Sequence, residues 1–416
     1  METTRVLVEE DIVIVGAGIA GLTTALGLHR LGITSLVLES SDKLRAAGFA
    51  LTIWKNAWKA LDAVGVAHIL RPKHLQLQGN EITSLITGQH TSTISFKEQG
   101  KNEIRCVKRH LMLEALASEL PSDRIRYLSK VVAIEESGFS KILHLSDGTT
   151  IKTKVLIGCD GVNSVVAKWL GFKEAAFATR SEIRGYAEYK NNHGFGPKFM
   201  YFFGDGFRAG VIPTDEKSVY WFFTWNPTSQ EKDQEHNSAN LKQFMLDKLE
   251  KRPSDVRSVI ENTELHNLFS SRLRYRHPWE LLFGNISKGN VCVAGDAFHP
   301  MTPDIGQGGC SALEDGVVLA RCLGKTFSKK QGTHLKDDDE HLEEQQYKRI
   351  EEALKKYANE RRWRSIDLIA TAYMIGVIQQ GGSKLVGFLR DKFLATFLAG
   401  VLLKKSGFDC GKLDNC

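Results

Sequence analysis

Residues 11–39 read DIVIVGAGIAGLTTALGLHRLGITSLVLE, and they decide the fold. A run of branched apolar residues, Ile12-Val13-Ile14-Val15, enters Gly16-Ala17-Gly18-Ile19-Ala20-Gly21. A helical stretch of small and apolar residues follows, then a second apolar run, Ser35-Leu36-Val37-Leu38, ending on Glu39. This is a βαβ unit with glycine at three positions where a dinucleotide demands it. Gly16 permits the tight turn, and Gly18 lets a pyrophosphate approach the backbone at a helix N-terminus. Gly21 lets helix and strand close on each other, with Ala20 in the same turn. Glu39 lies where an acidic side chain can accept hydrogen bonds from ribose hydroxyls. A lone GxGxxG is weak evidence. Here strand, helix and acid all fall where the mechanism needs them, and the stretch predicts a bound dinucleotide.

The rest of the chain sets bounds around that unit. A length of 416 residues can bury a large core and points to two domains. The composition, 42% hydrophobic and 25% charged, is that of a globular protein. A net charge of +6 is scattered and the densest cluster, residues 337–344, is acidic, so there is no nucleic-acid footprint. The seven cysteines (106, 159, 292, 310, 322, 410 and 416) form no C-x-x-C pair. That pattern points to a reducing compartment and argues against a metal site, with Cys410 and Cys416 expected as free surface thiols. Only ten residues precede the first strand, and they lack the apolar core of a signal peptide. No stretch has the ~18–20 apolar residues of a membrane span. The expectation is a soluble, cytoplasmic protein.

Farther along, 56–67 and 108–120 read as amphipathic helices, the latter with Pro121 beyond its end. Weak alternation over 75–103 predicts strands of an antiparallel sheet. Residues 125–157 read as three strands with a turn at Ser146-Asp147-Gly148-Thr149, the last entering Gly158-Cys159-Asp160-Gly161. From about 180 to 275 the texture becomes aromatic-rich, with strands at 198–203, 207–213 and 219–225 and a helix at 241–249. An apolar run at 291–294 enters Gly295-Asp296, and Ile305-Gly306-Gln307-Gly308-Gly309 precedes a helix over 311–323. A charged linker (324–340), a charged helix (341–364) and a more apolar helical tail (365–403) close the chain.

Three apolar strands therefore end in a glycine–acid turn or its equivalent, at 16–21, 160–161 and 295–296. Ligands of open α/β sheets sit beyond the C-terminal ends of strands, so the three ends can converge on one extended ligand. Singly, each pair is a common turn. Together, with Gly295-Asp296-Ala297-Phe298-His299-Pro300-Met301-Thr302-Pro303-Asp304-Ile305-Gly306-Gln307-Gly308 and the following Leu313-Glu314-Asp315, they resemble the single-component aromatic-hydroxylase type of flavoprotein monooxygenase. The segments GCDGVNSVVAKWLGF and GQGGCSALEDG are most similar to plant monooxygenases related to zeaxanthin epoxidase and salicylate hydroxylase. The resemblance spans about 10–325.

It implies a Rossmann-type FAD-binding fold, α/β in class, with an inserted antiparallel-sheet substrate domain and a C-terminal helical segment. The implied division is 1–75, 104–178 and 285–345 for FAD, 76–103 and 179–284 for substrate, and 346–416 for the C-terminal helices and tail. Asp296 would hydrogen-bond the ribityl chain of FAD, and the amides of Gly306, Gln307, Gly308 and Gly309, with Pro303 before them, would face the isoalloxazine. Asp160 would serve both FAD and NAD(P)H, Arg45 and Arg109 the diphosphate and ribityl region, and Val131 the adenine. The activity implied takes NAD(P)H and O2 and places one oxygen atom, by hydroxylation or epoxidation, on a small hydrophobic or aromatic substrate. With no second glycine fingerprint, NAD(P)H would bind transiently.

Two positions depart from the pattern. Ala167 stands where an arginine is often found after the serine of the DG segment, with Lys168 beside it. Cys310 stands in place of an asparagine and is expected to be a buried packing residue. His299 is expected to position rather than to act as a base, and no catalytic side chain is assigned. Of the aromatic residues Tyr201, Phe202, Phe203, Phe207, Tyr220, Trp221, Phe222, Phe223 and Trp225, alternation sends about half toward a substrate.

The competing readings are a flavin halogenase or prenyl reductase on the same fold, or a non-enzymatic prenyl- or partner-binding protein. The halogenase segment WxWxIP is missing, since no Ile-Pro follows Trp221 and Trp225. The intact GDAFHPMTPDIGQG segment argues against a non-flavin binder. The tail, with Ile366, Leu368, Ile369, Tyr373, Ile375 and Ile378 near Arg361, Arg362 and Arg364, can cap the domains or lie on an anionic membrane. The cap is favoured over membrane contact.

Overall fold

The computed structural model describes residues 7–45, 48–85, 90–96, 103–204, 206–227, 238–249, 254–327, 339–380 and 395–413. The first sheet is built around strand Leu7–Val15. Thr150–Gly158 pairs parallel on one side of it and Leu36–Leu38 on the other. Val291–Val293 then pairs parallel with Thr150–Gly158, and Ile125–Arg126 with Leu36–Leu38. Residues 12–15 and 155–158 of the two long strands, with Leu36–Leu38 and Val291–Val293, are buried, as expected of parallel strands covered on both faces. Their register matters for function: Val15 pairs with Gly158, and Gly158 with Val293. Three neighbouring strands thus end level, and the three glycine-bearing turns leave the sheet side by side.

Residues 125–158 hold four strands rather than three. The added hairpin, Val131–Ser137 with Ser140–Leu145, joins Thr150–Gly158 antiparallel. Helix Ile19–Arg30 packs on helix Gly308–Phe327, so closely that a Cβ on Gly27 would lie 2.7 Å from the Ala320 Cβ.

The second sheet runs in the order Leu268–Tyr275, Ala176–Glu188, Ser218–Trp225, Phe207–Pro213, Lys198–Phe203, Gly79–Ser84, His90–Ser95. It is antiparallel except where Gly79–Ser84 joins Lys198–Phe203 parallel. Both of its faces are covered. Phe202, Phe207, Trp221, Phe223 and Trp225 point into a separate core with Leu241, Met245 and Val259 from two helices on the far side. Phe199, Tyr201, Tyr220 and Phe222 point the other way, into the core shared with the first sheet. The period of two divides the aromatics as the sequence suggests.

The C-terminal region differs from its expectation in one respect. No break falls near 365: a single helix of 42 residues, Asp339–Gln380, crosses the molecule, about 60 Å at 1.5 Å per residue. Leu354, Tyr357, Leu368, Ile369, Ala372 and Ile375 are buried along it, while Tyr373 is exposed. The tail positions Gly381, Gly382, Lys384, Leu385, Phe388, Leu389, Arg390, Lys392 and Phe393 lie outside the described residues. No helix among the described residues is long and apolar enough to cross a membrane.

Cys410 corrects another expectation. It is fully buried, because the chain after helix Ala395–Lys405 folds back onto the body, with Asp409 paired to Lys59 at 2.5 Å. The cysteines of the described residues are all buried and free; Cys416 lies outside them.

Candidate active site

A cavity of about 670 Å³ lies where the three level strand ends meet the second sheet. That is within the ~300–1,000 Å³ usual for cofactor and small-molecule sites. Of the residues singled out from sequence, Gly16, Gly18, Ala20, Glu39, Arg45, Arg109, Val131, Asp160, Asp296, Pro303, Gly306, Gly308 and Gly309 line it. Gly21 and Gln307 do not.

The three glycines of the first turn have different reasons to be glycine. Gly16 has φ +104°, and a Cβ there would lie 2.4 Å from the Cys159 carbonyl oxygen. A Cβ on Gly21 would lie 1.9 Å from the Gly16 carbonyl oxygen, so that glycine serves the close packing of helix and turn. Gly18 has an ordinary extended backbone, φ −81° and ψ −172°, and a Cβ there would meet no protein atom within 4 Å. Nothing in the protein requires glycine at 18. The open space beyond it is the cavity, at the N-terminus of helix Ile19–Arg30, where backbone N–H groups lack intrahelical partners.

Glu39 holds this turn in place. Its Oε2 accepts from the Ala17 N–H at 2.9 Å and its Oε1 from the Ser41 N–H at 2.9 Å. Arg45 lies at the exposed rim, donating to Ser40 and Ser41 with its Nε 3.7 Å from Glu39. Asp160 accepts from Ser164 and from the Val165 N–H, which ties the second turn to the short helix after it. Burial pushes its carboxyl above the usual range.

Buried donors on several elements face the cavity without a protein partner. The Nε of Arg109 and the indole Nε1 of Trp54 have none among the described residues. Burial pushes the Arg109 guanidinium down; Asp296 opposes this, while Arg184 and Arg45 add to it. An unsatisfied buried donor costs about 1–3 kcal/mol, so an anion or acceptor at this place would stabilise the protein.

Beneath the third turn runs a buried ionic network. Asp315 accepts from the Gly295 N–H at 2.8 Å, from His299 Nε2 at 2.6 Å and from Arg361 Nε at 2.6 Å. Glu314 pairs with Arg361 and Arg364, and accepts from Asn56, which also donates to Gln307 Oε1 at 2.8 Å. Burial would raise both carboxyls, but Arg361 with His299 at Asp315, and with Arg364 at Glu314, hold them below the usual range. Gln307 thus braces the turn from behind, and His299 is fully buried against Asp315 and outside the cavity lining. Cys310 is fully buried, its thiol pushed up by burial to about 12.

At the second sheet the wall is aromatic and charged. Phe199, Tyr201 and Phe203 form a stacked row, with Phe222 edge-on to the first two. Arg180 grips the buried Asp304 carboxylate with two bonds of 2.8 Å, and Arg208 lies 3.1 Å from it. Burial would raise Asp304, but Arg208 and Arg180 outweigh it and hold it down. Arg184 pairs with Glu182. Arg184, Glu182 and Arg208 were not found by sequence reading. Arg180, Glu182 and Arg184 alternate along strand Ala176–Glu188 as on an exposed strand face, so the pattern gave no sign of a site.

Residues 9–352 match the protein-family model described as "FAD binding domain". The chain is 57% identical over 403 residues to Monooxygenase 2 of Arabidopsis thaliana, covering 97% of this chain and 98% of that protein. It is 37% identical to Monooxygenase 1 of the same plant, covering 97% of this chain and all of that one. This chain belongs to the FAD-dependent monooxygenases. The fold agrees with a solved structure of HpxO from Klebsiella pneumoniae in complex with FAD and uric acid. The TM-score is 0.80 at 22% identity, covering 96% of each chain. The cavity fits that cofactor on its own evidence: Gly18 opens onto it, and the Arg109 and Trp54 donors face it unpaired.

Proposed function

We propose that this FAD-dependent monooxygenase hydroxylates a small, planar, anionic aromatic substrate held against the second sheet. Gly16, Gly18, Ala20, Glu39, Arg45 and Arg109 would hold the diphosphate and ribose of FAD, and Val131 the adenine. Asp160 and Asp296 would serve the middle of the cofactor, and Pro303, Gly306, Gly308 and Gly309 its ring. Gly21 and Gln307 act at one remove, by packing and bracing. The division of labour follows the two sheets: 1–75, 104–178 and 285–345 for FAD, 76–103 and 179–284 for substrate, 346–416 as the brace.

The observation that carries the substrate class is the charge at the aromatic wall. Three guanidiniums, Arg180, Arg184 and Arg208, face two carboxylates, Glu182 and Asp304. One positive charge is left over in a buried setting, where an anionic ligand gains most. The stacked row of Phe199, Tyr201 and Phe203 favours a flat ring.

FAD supplies hydride acceptance from NAD(P)H and activation of O2; the side chains bind, orient and exclude water. Burial pushes the phenols of Tyr201 and Tyr220 up, so at neutral pH they donate hydrogen bonds and do not act as bases. The free, buried thiols accord with a reducing, cytoplasmic setting.

The test is a screen of aromatic carboxylates and their neutral amides for stimulation of NAD(P)H oxidation by the FAD-loaded protein, with product masses read out. A carboxylate that drives oxidation and gains one oxygen atom is expected. Preference for the neutral amides would overturn the substrate class, and a protein that purifies without flavin would overturn the placement of FAD.

A further inference from the structure

Arg208 is the charged group of the aromatic wall with the most constrained surroundings. Its side chain is 2% exposed and its guanidinium lies 5.1 Å from the centre of the Phe222 ring. Asp304, its nearest carboxylate, already accepts two bonds from Arg180. The remaining partner comes from far along the chain: Arg208 donates to the Oε1 of Gln379. Gln379 is fully buried in the last turn of helix Asp339–Gln380, beyond residue 352, where the family match stops. The Nε of Arg208 finds no partner among the described residues.

The backbone around Gln379 is fitted to this contact. Gly376 lies one turn earlier, directly over the Arg180–Asp304 pair. A Cβ there would fall 2.3 Å from Arg180 and 2.5 Å from Asp304 Oδ2. Glycine lets the helix settle on the ion pair and brings residue 379 within reach of Arg208. The chemistry of the partner matters too. A glutamate would reach equally far but would cancel the charge of Arg208. Glutamine fixes the guanidinium without adding a negative charge beyond Asp304, which Arg208 already shares with Arg180.

We propose that Gln379 is a positioning residue of the substrate site, which aims Arg208 at the cavity and keeps it available to an anion. The end of the C-terminal helix thereby sets the charge preference of a pocket built by another part of the chain. This rests on the reading that Arg208 faces the substrate.

The test uses full-length, FAD-loaded protein, with benzoate and its neutral isostere benzamide as probes. Binding is followed by the perturbation of the flavin absorption spectrum. Wild type should bind benzoate more tightly than benzamide. In Gln379→Glu the dissociation constant for benzoate should rise about tenfold or more, the effect of losing a charge-assisted hydrogen bond. Benzamide binding and FAD content should stay within about twofold, well under the effect of one lost hydrogen bond. Gln379→Met, which keeps the volume and leaves Arg208 charged, should weaken benzoate by only a few-fold, again with benzamide unmoved. The Met variant also decides the matter if the Glu variant fails to fold. A parallel loss of both probes would mark Gln379 as merely structural and overturn the proposal, as would unchanged benzoate binding. Arg208→Gln separates the two levels. If it leaves benzoate unaffected, or if wild type shows no preference for benzoate, the substrate reading itself fails. If Arg208→Gln acts and the Gln379 variants do not, only the positioning role fails.

Discussion

The end of the cavity formed by residues 16–20, Glu39 and Arg45 is built on a glycine-rich turn, whereas the end formed by Arg184, Arg208, Tyr201, Tyr220 and Phe222 presents large side chains. The first is made by one continuous stretch and the level ends of neighbouring strands. The second needs four strands and the C-terminal helix to come together. A backbone site tolerates almost no change in local sequence, because a single Cβ fills it. A side-chain site can be retuned one residue at a time without disturbing the fold. The cofactor end is therefore expected to be common to the family and the wall to carry what is particular to this enzyme.

The largest effect should come from removing what both ends share. Arg361 braces the third turn and Gln379 braces Arg208, and both lie on helix Asp339–Gln380. Truncation before Ser365 keeps Arg361 but deletes the Phe408 ring stacked on it, and removes the buried Leu368, Ile369, Ala372 and Ile375 along with Gln379. Each such apolar side chain contributes about 1.5–3 kcal/mol if large, against a total stability of about 5–15 kcal/mol. Aggregation or loss of FAD is expected, read by size-exclusion chromatography and flavin absorbance. A soluble, flavin-loaded, active truncated protein that had lost only liposome binding would show that the helix is a membrane element and not a brace.

Next comes the cofactor end alone. Gly18→Val should leave a folded protein without flavin, since its side chain enters the cavity and meets no protein atom at Cβ. Circular dichroism and thermal unfolding should match the apo wild type, while the flavin content falls to background. Gly16→Val is the control: its Cβ strikes the Cys159 carbonyl, so fold and flavin should be lost together. A Gly18→Val protein that kept its FAD would separate this turn from the cofactor.

The comparison also explains what could be read from the sequence. The three turns were legible because each is local: an apolar run into a glycine-rich turn at 16–21, and an apolar run into a glycine and an acid at 160–161 and 295–296. Their convergence followed from the rule on strand ends, and Val15, Gly158 and Val293 do pair in register. The charged wall was not legible. Arg180, Glu182 and Arg184 alternate like the solvent face of an edge strand, and only pairing with Ser218–Trp225 and Leu268–Tyr275 buries them. Cys410 misled for a similar reason. Its neighbours Gly407, Asp409 and Gly411 look like an exposed tail, yet Phe408 stacks under Arg361 and Arg364 and draws the segment inward. The uninterrupted helix through 365 is not legible in the sequence, because the composition changes there from charged to apolar with no change of element. The buried stripe is continuous across it, from Ile350, Leu354, Tyr357 and Arg361 to Leu368, Ile369, Ala372 and Ile375.

A smaller effect is expected at the middle of the cavity. Asp296 is exposed to it and lies near Arg109 and Arg184. Asp296→Ala removes one charge-assisted hydrogen bond to the cofactor, about 1.5–3 kcal/mol, or roughly 10- to 150-fold in affinity. Fluorescence titration of the apoprotein with FAD measures it directly. Unchanged affinity would make the Gly295-Asp296 turn structural only, held by Asp315 for the sake of the sheet.

The smallest change tests the comparison most finely, because it should move stability and cofactor binding in opposite directions. Gly308 opens helix Gly308–Phe327, has no positive φ, and its Cβ would meet only the Met301 Cγ, at an ordinary 3.8 Å. On the protein's own account alanine is the better residue there: it lowers the entropy of the unfolded chain and favours the helix, worth about 0.4–1 kcal/mol. The apo form of Gly308→Ala should therefore unfold at a slightly higher temperature than apo wild type. If the backbone at 308 lies against the flavin ring, the added methyl intrudes on that contact, and FAD affinity should fall a few-fold while the apoprotein gains stability. A variant that gains stability and keeps full affinity would show that this turn leaves space before the ring. The backbone character of the cofactor end would then stop at the first two turns, with the third belonging, like the wall, to the side chains.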